Sequence, residues 1–333
     1  EDCTYENNKC TSCGYEGFDT VITLKDKVAD YTGEAIEIDE AEVVDSEGSV
    51  TYTYYVDTDC IYKTTKDNSG ASEDGSAPVE PGVYYVIASV EADGQYKAAE
   101  SVAAKLTIRP NATEKITLAN ASSGVTIKWS KVPEADGYRV YRKSGSSGYK
   151  RIATIMDVDT LSYIDEDAKS GTTYTYTVRA ITDSIEEVLS SYDKAGKTIE
   201  RLSQPTPKLS NTSSGIKISW SKVTGADGYK VYRKNSEGKW IGIATIKSGS
   251  TVSYTDKSSS LKSGKKYTYT VKAYSGDYVG SYHSGKTIER LSQPTPKLSN
   301  TSSGIKISWS KVTGADGYYV YRKNSEGKWS HIA

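Results

Sequence analysis

The sequence predicts an all-β protein that forms an elongated array of tandem β-sandwiches. Apolar and polar residues alternate over short segments, which is the two-residue period of strands with one solvated face. Gly, Ser, Asp and Asn separate these segments and favour turns. Whole blocks of this pattern also recur along the chain, which indicates repeated domains. No stretch shows a sustained helical period with capping residues.

The repeats are clearest in the second half of the chain. The segment Ser203–Trp220 recurs letter for letter as Ser292–Trp309, 89 residues later. A looser copy ends at Trp129. The third copy stops at Ala333, less than halfway through its period. We therefore expect the chain to be a fragment that is cut inside a repeat.

The second repeat shows the strand pattern most plainly. Ile216, Ile218 and Trp220 alternate with lysine and serine, and Tyr229 and Val231 alternate with polar neighbours. A later strand is predicted from the same alternation, with the inward residues Tyr267, Tyr269, Val271 and Ala273. Short strands every 8–12 residues over about 90 residues predict a sandwich of two sheets.

Residues 20–109 carry a β pattern of their own. Strands are predicted at Val50–Val56, Gly82–Val90 and Ala98–Ile108. Residues 67–81 are rich in Ser, Gly, Asp and Glu and predict a long exposed loop. Its acids Asp67, Glu73 and Asp74 could in principle hold Ca²⁺, but they lack the regular spacing of a calcium loop, so a solvated loop is expected.

The charge is unevenly distributed. The formal net charge is −1, but residues 1–110 carry 23 acids and 8 bases, whereas residues 111–333 carry 20 acids and 34 bases. A basic region could attract anionic polymers, although lysines that alternate with core residues are typical of solvated strand faces. No recognisable nucleic-acid-binding fold accompanies the charge. The longest apolar runs are a handful of residues, so no membrane-spanning helix is predicted.

The landmarks of residues 110–333 resemble fibronectin type III domains. They are a Pro-rich start, a Trp on the second strand, Gly-Tyr-x-Val-Tyr-Arg on the third, and then Ser-Gly-x-x-Tyr-x-Tyr-x-Val-x-Ala. More narrowly, they resemble tandem repeats of secreted and cell-wall proteins of gut-type Gram-positive bacteria. The resemblance implies that Trp129, Trp220 and Trp309 fill the cores. It also implies that Tyr174 and Tyr267 are tyrosine corners, whose hydroxyl groups hold nearby backbone.

The first region resembles a bacterial immunoglobulin-like module through Tyr31–Ala35 and Pro81–Tyr85. The predicted organisation has five parts: a Cys-rich segment, an immunoglobulin-like domain, two complete fibronectin type III repeats and a truncated third, at residues 1–18, 19–109, 110–201, 202–290 and 291–333. The linkers Glu200–Pro205 and Glu289–Pro294 are too short for free flexing, and their prolines stiffen the chain.

The first residues contain a candidate metal site. Cys3, Cys10 and Cys13 form Cys-x6-Cys-x2-Cys, and Cys-x2-Cys presents two thiolates to one metal. The run resembles zinc-knuckle-like motifs with Cys3 in the place of a His. A structural zinc ion would need a fourth ligand upstream of Glu1. A disulfide or free thiols are the alternatives, and none of the three is catalytic. Cys60 stands apart from this group.

A second candidate is an aromatic surface that could stack on sugars. Tyr149, Trp240 and Trp329 occupy equivalent hairpin positions in the three repeats. Tyr141, Tyr232 and Tyr321 are expected nearby on the outer face, together with Arg142, Arg233 and Arg322. The competing interpretation is cross-strand pairing that stabilises an exposed sheet, and it is favoured because each repeat keeps the pattern.

The sequence thus predicts a non-enzymatic spacer or adhesion scaffold, an extracellular monomeric rod that is secreted or associated with a bacterial cell wall. Two histidines, neither near a Cys or in a tight acidic cluster, leave little material for acid–base or nucleophilic catalysis. No cofactor is expected beyond the zinc ion considered above. The partner would be a cell-wall or host glycan or protein. The alternative is an accessory, glycan-binding region of a secreted carbohydrate-active or cell-wall enzyme.

Overall fold

The computed structural model describes residues 4–7, 9–64 and 74–333. The chain forms two compact units, and residues 110–201 contribute to both of them. The first unit comprises residues 1–117, 127–163 and 175–197, and the second comprises residues 118–126, 164–174 and 198–333. Strands account for all regular elements in the part of the chain that the structure describes, which confirms the all-β prediction. None of the described residues lies in a helix that could cross a membrane.

Among its described residues, the first unit begins with nine strands of two to nine residues. They are β1 (Tyr5–Glu6), β2 (Lys9–Cys10), β3 (Val21–Thr23), β4 (Lys27–Asp30), β5 (Glu42–Val44), β6 (Val50–Tyr55), β7 (Gly82–Val90), β8 (Ala99–Glu100) and β9 (Ala104–Arg109). The main sheet has the order β4-β9-β7-β6, and β8 pairs with β7. Strands β4 and β9 are parallel, whereas β9, β7 and β6 pair antiparallel.

The core beneath this sheet follows the predicted alternation. Val86, Leu106 and Ile108 are fully buried, and Tyr54 and Tyr84 pack with them. The closing strand differs from the prediction because it is interrupted between β8 and β9. Ser101 lies in the interruption, where its hydroxyl group accepts a hydrogen bond from the Ala88 amide at 3.0 Å. The serine therefore takes the place of a backbone acceptor.

The first repeat contributes eight strands. They are β10 (Thr117–Asn120), β11 (Val125–Lys128), β12 (Gly137–Ser144), β13 (Lys150–Ile155), β14 (Ser162–Asp165), β15 (Thr172–Asp183), β16 (Glu187–Leu189) and β17 (Lys197–Arg201). One sheet has the order β10-β11-β14, and the other has the order β13-β12-β15-β16, with β17 also on β15. Trp129 is buried and contacts Tyr138 at 5.4 Å between ring centroids.

The second repeat lies within the second unit and has the same order of strands. They are β18 (Lys208–Thr212), β19 (Gly215–Ser219), β20 (Gly228–Lys234), β21 (Trp240–Ile246), β22 (Ser253–Asp256), β23 (Lys266–Ser275), β24 (Tyr278–Val279) and β25 (Lys286–Glu289). The sheets β18-β19-β22 and β21-β20-β23-β24, with β25 on β23, form a sandwich. Trp220 joins Ile216, Tyr229 and Val271 in its core, as predicted.

The tyrosine positions behave as the resemblance implies. The Tyr267 hydroxyl group accepts a hydrogen bond from the Lys262 amide at 2.8 Å and donates one to the Ser260 carbonyl at 3.1 Å. In the first repeat, the Tyr174 hydroxyl group accepts a hydrogen bond from the Lys169 amide. The third repeat contributes four further strands. They are β26 (Lys297–Thr301), β27 (Gly304–Ser308), β28 (Tyr321–Lys323) and β29 (Trp329–His331).

Candidate functional site

The cysteine-rich segment is only partly described by the structure. Cys3 lies outside the described residues, so the three-cysteine arrangement stays a prediction. Cys10 is buried at the end of β2, and Cys13 is exposed in the following turn. The described residues contain no group of three or more His, Cys, Asp and Glu side chains that could hold a metal ion. Of the calcium candidates, Asp67 and Glu73 also lie outside the described residues.

The predicted aromatic surface of the second repeat is a continuous cluster of rings and cations that contact one another. The Lys272 ammonium group lies 5.7 Å from the centre of the Tyr232 ring and 4.3 Å from that of Tyr282. Tyr282 in turn meets Trp240 edge-on, with 6.2 Å between ring centroids. The structure therefore brings the predicted residues Tyr232 and Trp240 onto one surface, and two residues absent from the prediction connect them.

The rings of this surface already have neighbours of their own. The Lys234 ammonium group lies 5.2 Å from the centre of the Trp240 ring. Gly285 lies so close to the same indole that a Cβ atom there would be 2.9 Å from it. Such contacts stabilise an exposed sheet. The geometry thus accounts for Trp240 without a ligand.

The first repeat has a similar cluster of rings with different cations. Tyr149 meets Tyr192 edge-on at 6.1 Å, and the Lys143 ammonium group lies 4.5 Å above the Tyr149 ring. The Arg179 guanidinium group covers Tyr192 at 5.1 Å and donates to the Ser190 carbonyl. Burial lowers the pKa of Arg179, and Tyr141 opposes that shift. The hairpin tyrosine therefore belongs to a packed edge of the sheet.

The third repeat exposes its predicted aromatic residues. Trp329 is 65% exposed and Tyr321 is 51% exposed. The Lys323 ammonium group lies 5.2 Å from the centre of the Trp329 ring. The Tyr321 ring contacts the His331 ring, with 5.3 Å between ring centroids. Each of the three predicted hairpin aromatics thus has a lysine beside its ring. These are Lys143 beside Tyr149, Lys234 beside Trp240 and Lys323 beside Trp329.

The prediction for Arg233 is wrong. It placed this arginine beside Tyr232 on the outer face, but successive residues of a strand point to opposite faces. Arg233 instead forms an ion pair with Asp256 at 2.6 Å, and both side chains are largely buried. The Tyr269 hydroxyl group donates to the same carboxylate at 3.0 Å. Burial lowers the pKa of Arg233, but Asp256 and Tyr269 together outweigh this effect, so the pKa is raised above its ordinary value.

The linkers contain a polar arrangement that sequence reasoning missed. At the second linker, the Arg290 guanidinium group donates to the carbonyls of Thr212 and Leu291, each at 2.8 Å. The Asn211 side chain accepts from the Leu291 amide at 3.1 Å and donates to the Glu289 carbonyl at 2.9 Å. We call this arrangement of Asn211 and Arg290 the second clasp.

The first linker repeats these contacts with equivalent residues. Arg201 donates to the carbonyls of Ala121 and Leu202 at 2.8 and 2.9 Å. Asn120 accepts from the Leu202 amide and donates to the Glu200 carbonyl. This arrangement of Asn120 and Arg201 is the first clasp. Both arginines are buried, at 4% and 6% exposure.

A serine and two glycines complete each linker. Ser263 donates to the Thr313 carbonyl of the next repeat at 2.8 Å and accepts from the Ser292 amide. Gly264 lies so close to Gly314 that a Cβ atom on Gly314 would be 2.6 Å from the Gly264 Cα atom. Both glycines have positive φ angles, 78° and 85°. The second and third repeats therefore meet through backbone contact that no larger residue permits.

Two known proteins are similar to parts of this chain. No family model matches the chain. Exoglucanase B of Cellulomonas fimi is 27% identical over 240 residues, which cover 60% of this chain and 20% of that protein. Fibronectin type III domain-containing protein 7 of Mus musculus is 27% identical over 208 residues, which cover 60% of this chain and 26% of that protein. The chain thus spans a fifth to a quarter of these relatives.

Two solved structures are similar to parts of this chain. The FN1-FN3 domains of chicken CNTN1 cover 75% of this chain and 93% of their own, with 17% identity and a TM-score of 0.30. An Fn3-like protein from Clostridium thermocellum is 31% identical, with a TM-score of 0.22. It covers 25% of this chain and 88% of its own.

Proposed function

We propose that the chain is a non-catalytic spacer and adhesion scaffold of an extracellular bacterial protein. In this proposal, an immunoglobulin-like module leads into tandem fibronectin type III modules with the boundaries predicted above. The source is a Gram-positive bacterium, and the protein is secreted or held at the cell wall. The array positions other modules and offers its surface to a glycan or protein partner.

The observation that carries this proposal is the repetition of the clasp in two successive linkers. A spacer must limit the angles between its repeats, since a freely jointed chain does not hold a distance. Each clasp ties the end of one repeat's last strand back to the turn between its first two strands. The guanidinium group of each clasp is buried, and it donates hydrogen bonds to carbonyls of both the turn and the linker. Serine and glycine then bring the next repeat into contact.

The second clasp can be tested with trypsin, which cleaves after arginine. The substitution Asn211→Ala removes the bonds to Leu291 and Glu289, together with a longer bond of 3.4 Å from Arg290, but keeps Arg290, the residue that trypsin recognises. The two shorter bonds, at about 1 kcal/mol each, alone make the linker open about thirtyfold more often when they are lost. Cleavage after Arg290 in the whole chain should accelerate by about that factor, because proteolysis follows the population of the open form.

Asn235→Ala is the matched control. The side-chain Oδ1 atom of Asn235 accepts from the amides of Glu237 and Lys239, so this substitution also removes two side-chain hydrogen bonds from the second repeat. It should leave cleavage after Arg290 at the rate of the unmodified chain. Equal acceleration in both variants, or none in Asn211→Ala, would refute a linker held by the clasp.

A second candidate function is favoured by the similarity to exoglucanase B. In this proposal, the chain is the accessory region of a secreted carbohydrate-active or cell-wall enzyme whose catalytic domain lies outside these 333 residues. The reading frame beyond both ends distinguishes the two candidates. A catalytic module in it supports the second candidate, and wall-anchoring or further repeat modules alone support the spacer. A zinc ion at Cys3, Cys10 and Cys13 remains a separate proposal, for which metal analysis of a reduced, chelator-free sample is the test.

A further inference from the structure

Two lysines lie directly opposite each other at the centre of the sheet β21-β20-β23-β24 of the second repeat. Lys230 of β20 is the register partner of Lys272 of β23. Directly opposed residues of antiparallel strands have Cα atoms roughly 5 Å apart, and like charges in that position are destabilising. The unfavourable pair therefore calls for a physical reason.

Neither lysine is neutralised within the part of the chain that the structure describes, since no ion pair there includes either of them. Burial lowers the pKa of Lys272, and the charge of Lys230 lowers it further. The same sheet does provide a carboxylate elsewhere, because Lys266 at the start of β23 is the register partner of Glu289. The positive charge at the centre of the sheet is thus left without an opposite charge.

Protection against aggregation does not explain this pair. Lysines serve that purpose on edge strands, where unpaired backbone groups are exposed. Strands β20 and β23 are interior strands of the order β21-β20-β23-β24. The other repeats treat these two positions differently. In the first repeat, Arg139 and Arg179 stand at the positions of Lys230 and Lys272, so both charges are kept, but Arg139 forms an ion pair with Glu187. The third repeat has Tyr319 at the position of Lys230.

Aromatic rings and hydroxyl groups surround the two ammonium groups. Lys272 lies above Tyr232 and Tyr282, and Lys230 lies 5.7 Å from the centre of the Tyr274 ring. Tyr282 is 42% exposed. Thr268 lies nearer the start of β23 and points outward. Its hydroxyl group contacts that of Thr287 at 2.8 Å in an exposed position. Cations, ring edges and hydroxyl groups on one sheet face match the carboxylates and hydroxyl groups of an acidic sugar chain.

We propose that the Lys230–Lys272 surface, which comprises these two lysines with Tyr232, Tyr274 and Tyr282, binds a carboxylate-bearing polysaccharide. The two ammonium groups pair with successive carboxylates, and the exposed edge of Tyr282 contacts a sugar ring. Binding relieves the repulsion between the lysines, which is why the pair is tolerated. The inference deepens the adhesive part of the proposed function, and its failure would leave the clasped spacer intact.

The test measures binding of the whole chain to polygalacturonate by isothermal titration calorimetry at low ionic strength. The double substitution Lys230→Gln with Lys272→Gln should weaken binding about tenfold, and added salt should weaken binding of the unmodified chain. The same variant should protect the amides of β20 and β23 better against hydrogen exchange, because the repulsion is gone. Weaker binding with a more stable sheet is a combination that a merely structural role does not produce.

The matched control is Lys208→Gln with Lys217→Gln, which removes the same charge from the opposite sheet, where both lysines are exposed. It should retain full binding. Equal weakening in both double variants would overturn the proposal, because net charge alone would then decide. Absence of binding to polygalacturonate would overturn it, as would equal binding of polyglutamate at matched charge, since the surface would then not select a sugar chain.

Discussion

At the scale of single residues, the second repeat depends on one buried carboxylate. Asp256 is 3% exposed and accepts hydrogen bonds from Arg233, Tyr269 and the Ser258 amide. Burial and the Asp256 charge raise the pKa of Tyr269, so its hydroxyl group stays protonated and donates. The three partners compensate for the cost of removing this charge from water. The carboxylate thereby links β22 to the middle of the opposite sheet.

Asp256→Ala should therefore destabilise the second repeat by about 3–5 kcal/mol, because it leaves the Arg233 charge buried and unpaired. Hydrogen exchange of the β19 and β23 amides, followed by mass spectrometry, isolates this repeat within the chain. Glu237→Ala is the control, since the Glu237–Lys239 pair is exposed, and it should leave the exchange unchanged. Similar exchange in the two variants would show that the buried pair contributes nothing particular.

At the scale of elements, the distance between β19 and β22 is set by a glycine. Gly215 begins β19 and lies so close to β22 that a Cβ atom on it would overlap the Asp256 carbonyl oxygen. Gly124 stands in the same relation to the Asp165 carbonyl of the first repeat. Because a backbone carbonyl cannot swing away as a flexible side chain does, this strand pair admits no larger residue.

Gly215→Ala should destabilise the second repeat by about 3 kcal/mol, since the strands must separate to accommodate the methyl group. Gly242→Ala in β21 is the control, because a Cβ atom there would meet only the Tyr232 ring at an ordinary 3.7 Å. In that variant the alanine should be neutral or slightly stabilising, because glycine costs strands conformational entropy. Urea unfolding monitored by hydrogen exchange distinguishes the two results.

Elements were also the level at which the sequence was most informative. Alternation identified the buried faces of β19, β20 and β23, because period two is a local property. It also contained the information that Arg233 points inward, one residue after Tyr232. Its partner Asp256 is 23 residues away, however, and no local pattern connects them. The clasps were missed for the same reason, since Asn211 and Arg290 are 79 residues apart.

At the scale of the whole molecule, equivalent residues of the repeats differ in their burial. Ile216 in the second repeat is fully buried, whereas its counterpart Ile305 in the third is 68% exposed. Around Ile305, Trp309 and Tyr318, an open apolar groove of about 1120 Å³ lies between the strand pairs of the third repeat. In the second repeat, β22 and β23 cover the same positions. Near-identical sequence is thus buried or exposed according to which strands accompany it.

Extending the chain after Ala333 with a copy of residues 245–290 should therefore close this groove. The added segment brings counterparts of β22, β23 and β25, whose apolar residues pack on the exposed face and remove it from water. Fluorescence of 1-anilinonaphthalene-8-sulfonate, which increases on exposed apolar surface, should be strong for the present chain and fall sharply for the extended one.

An extension of the same composition in shuffled order should leave the fluorescence high, because it lacks the period of two that places apolar residues on one face. If the ordered copy also left the fluorescence high, the added strands would not have covered the groove. The third repeat would then not form the same sandwich as the second.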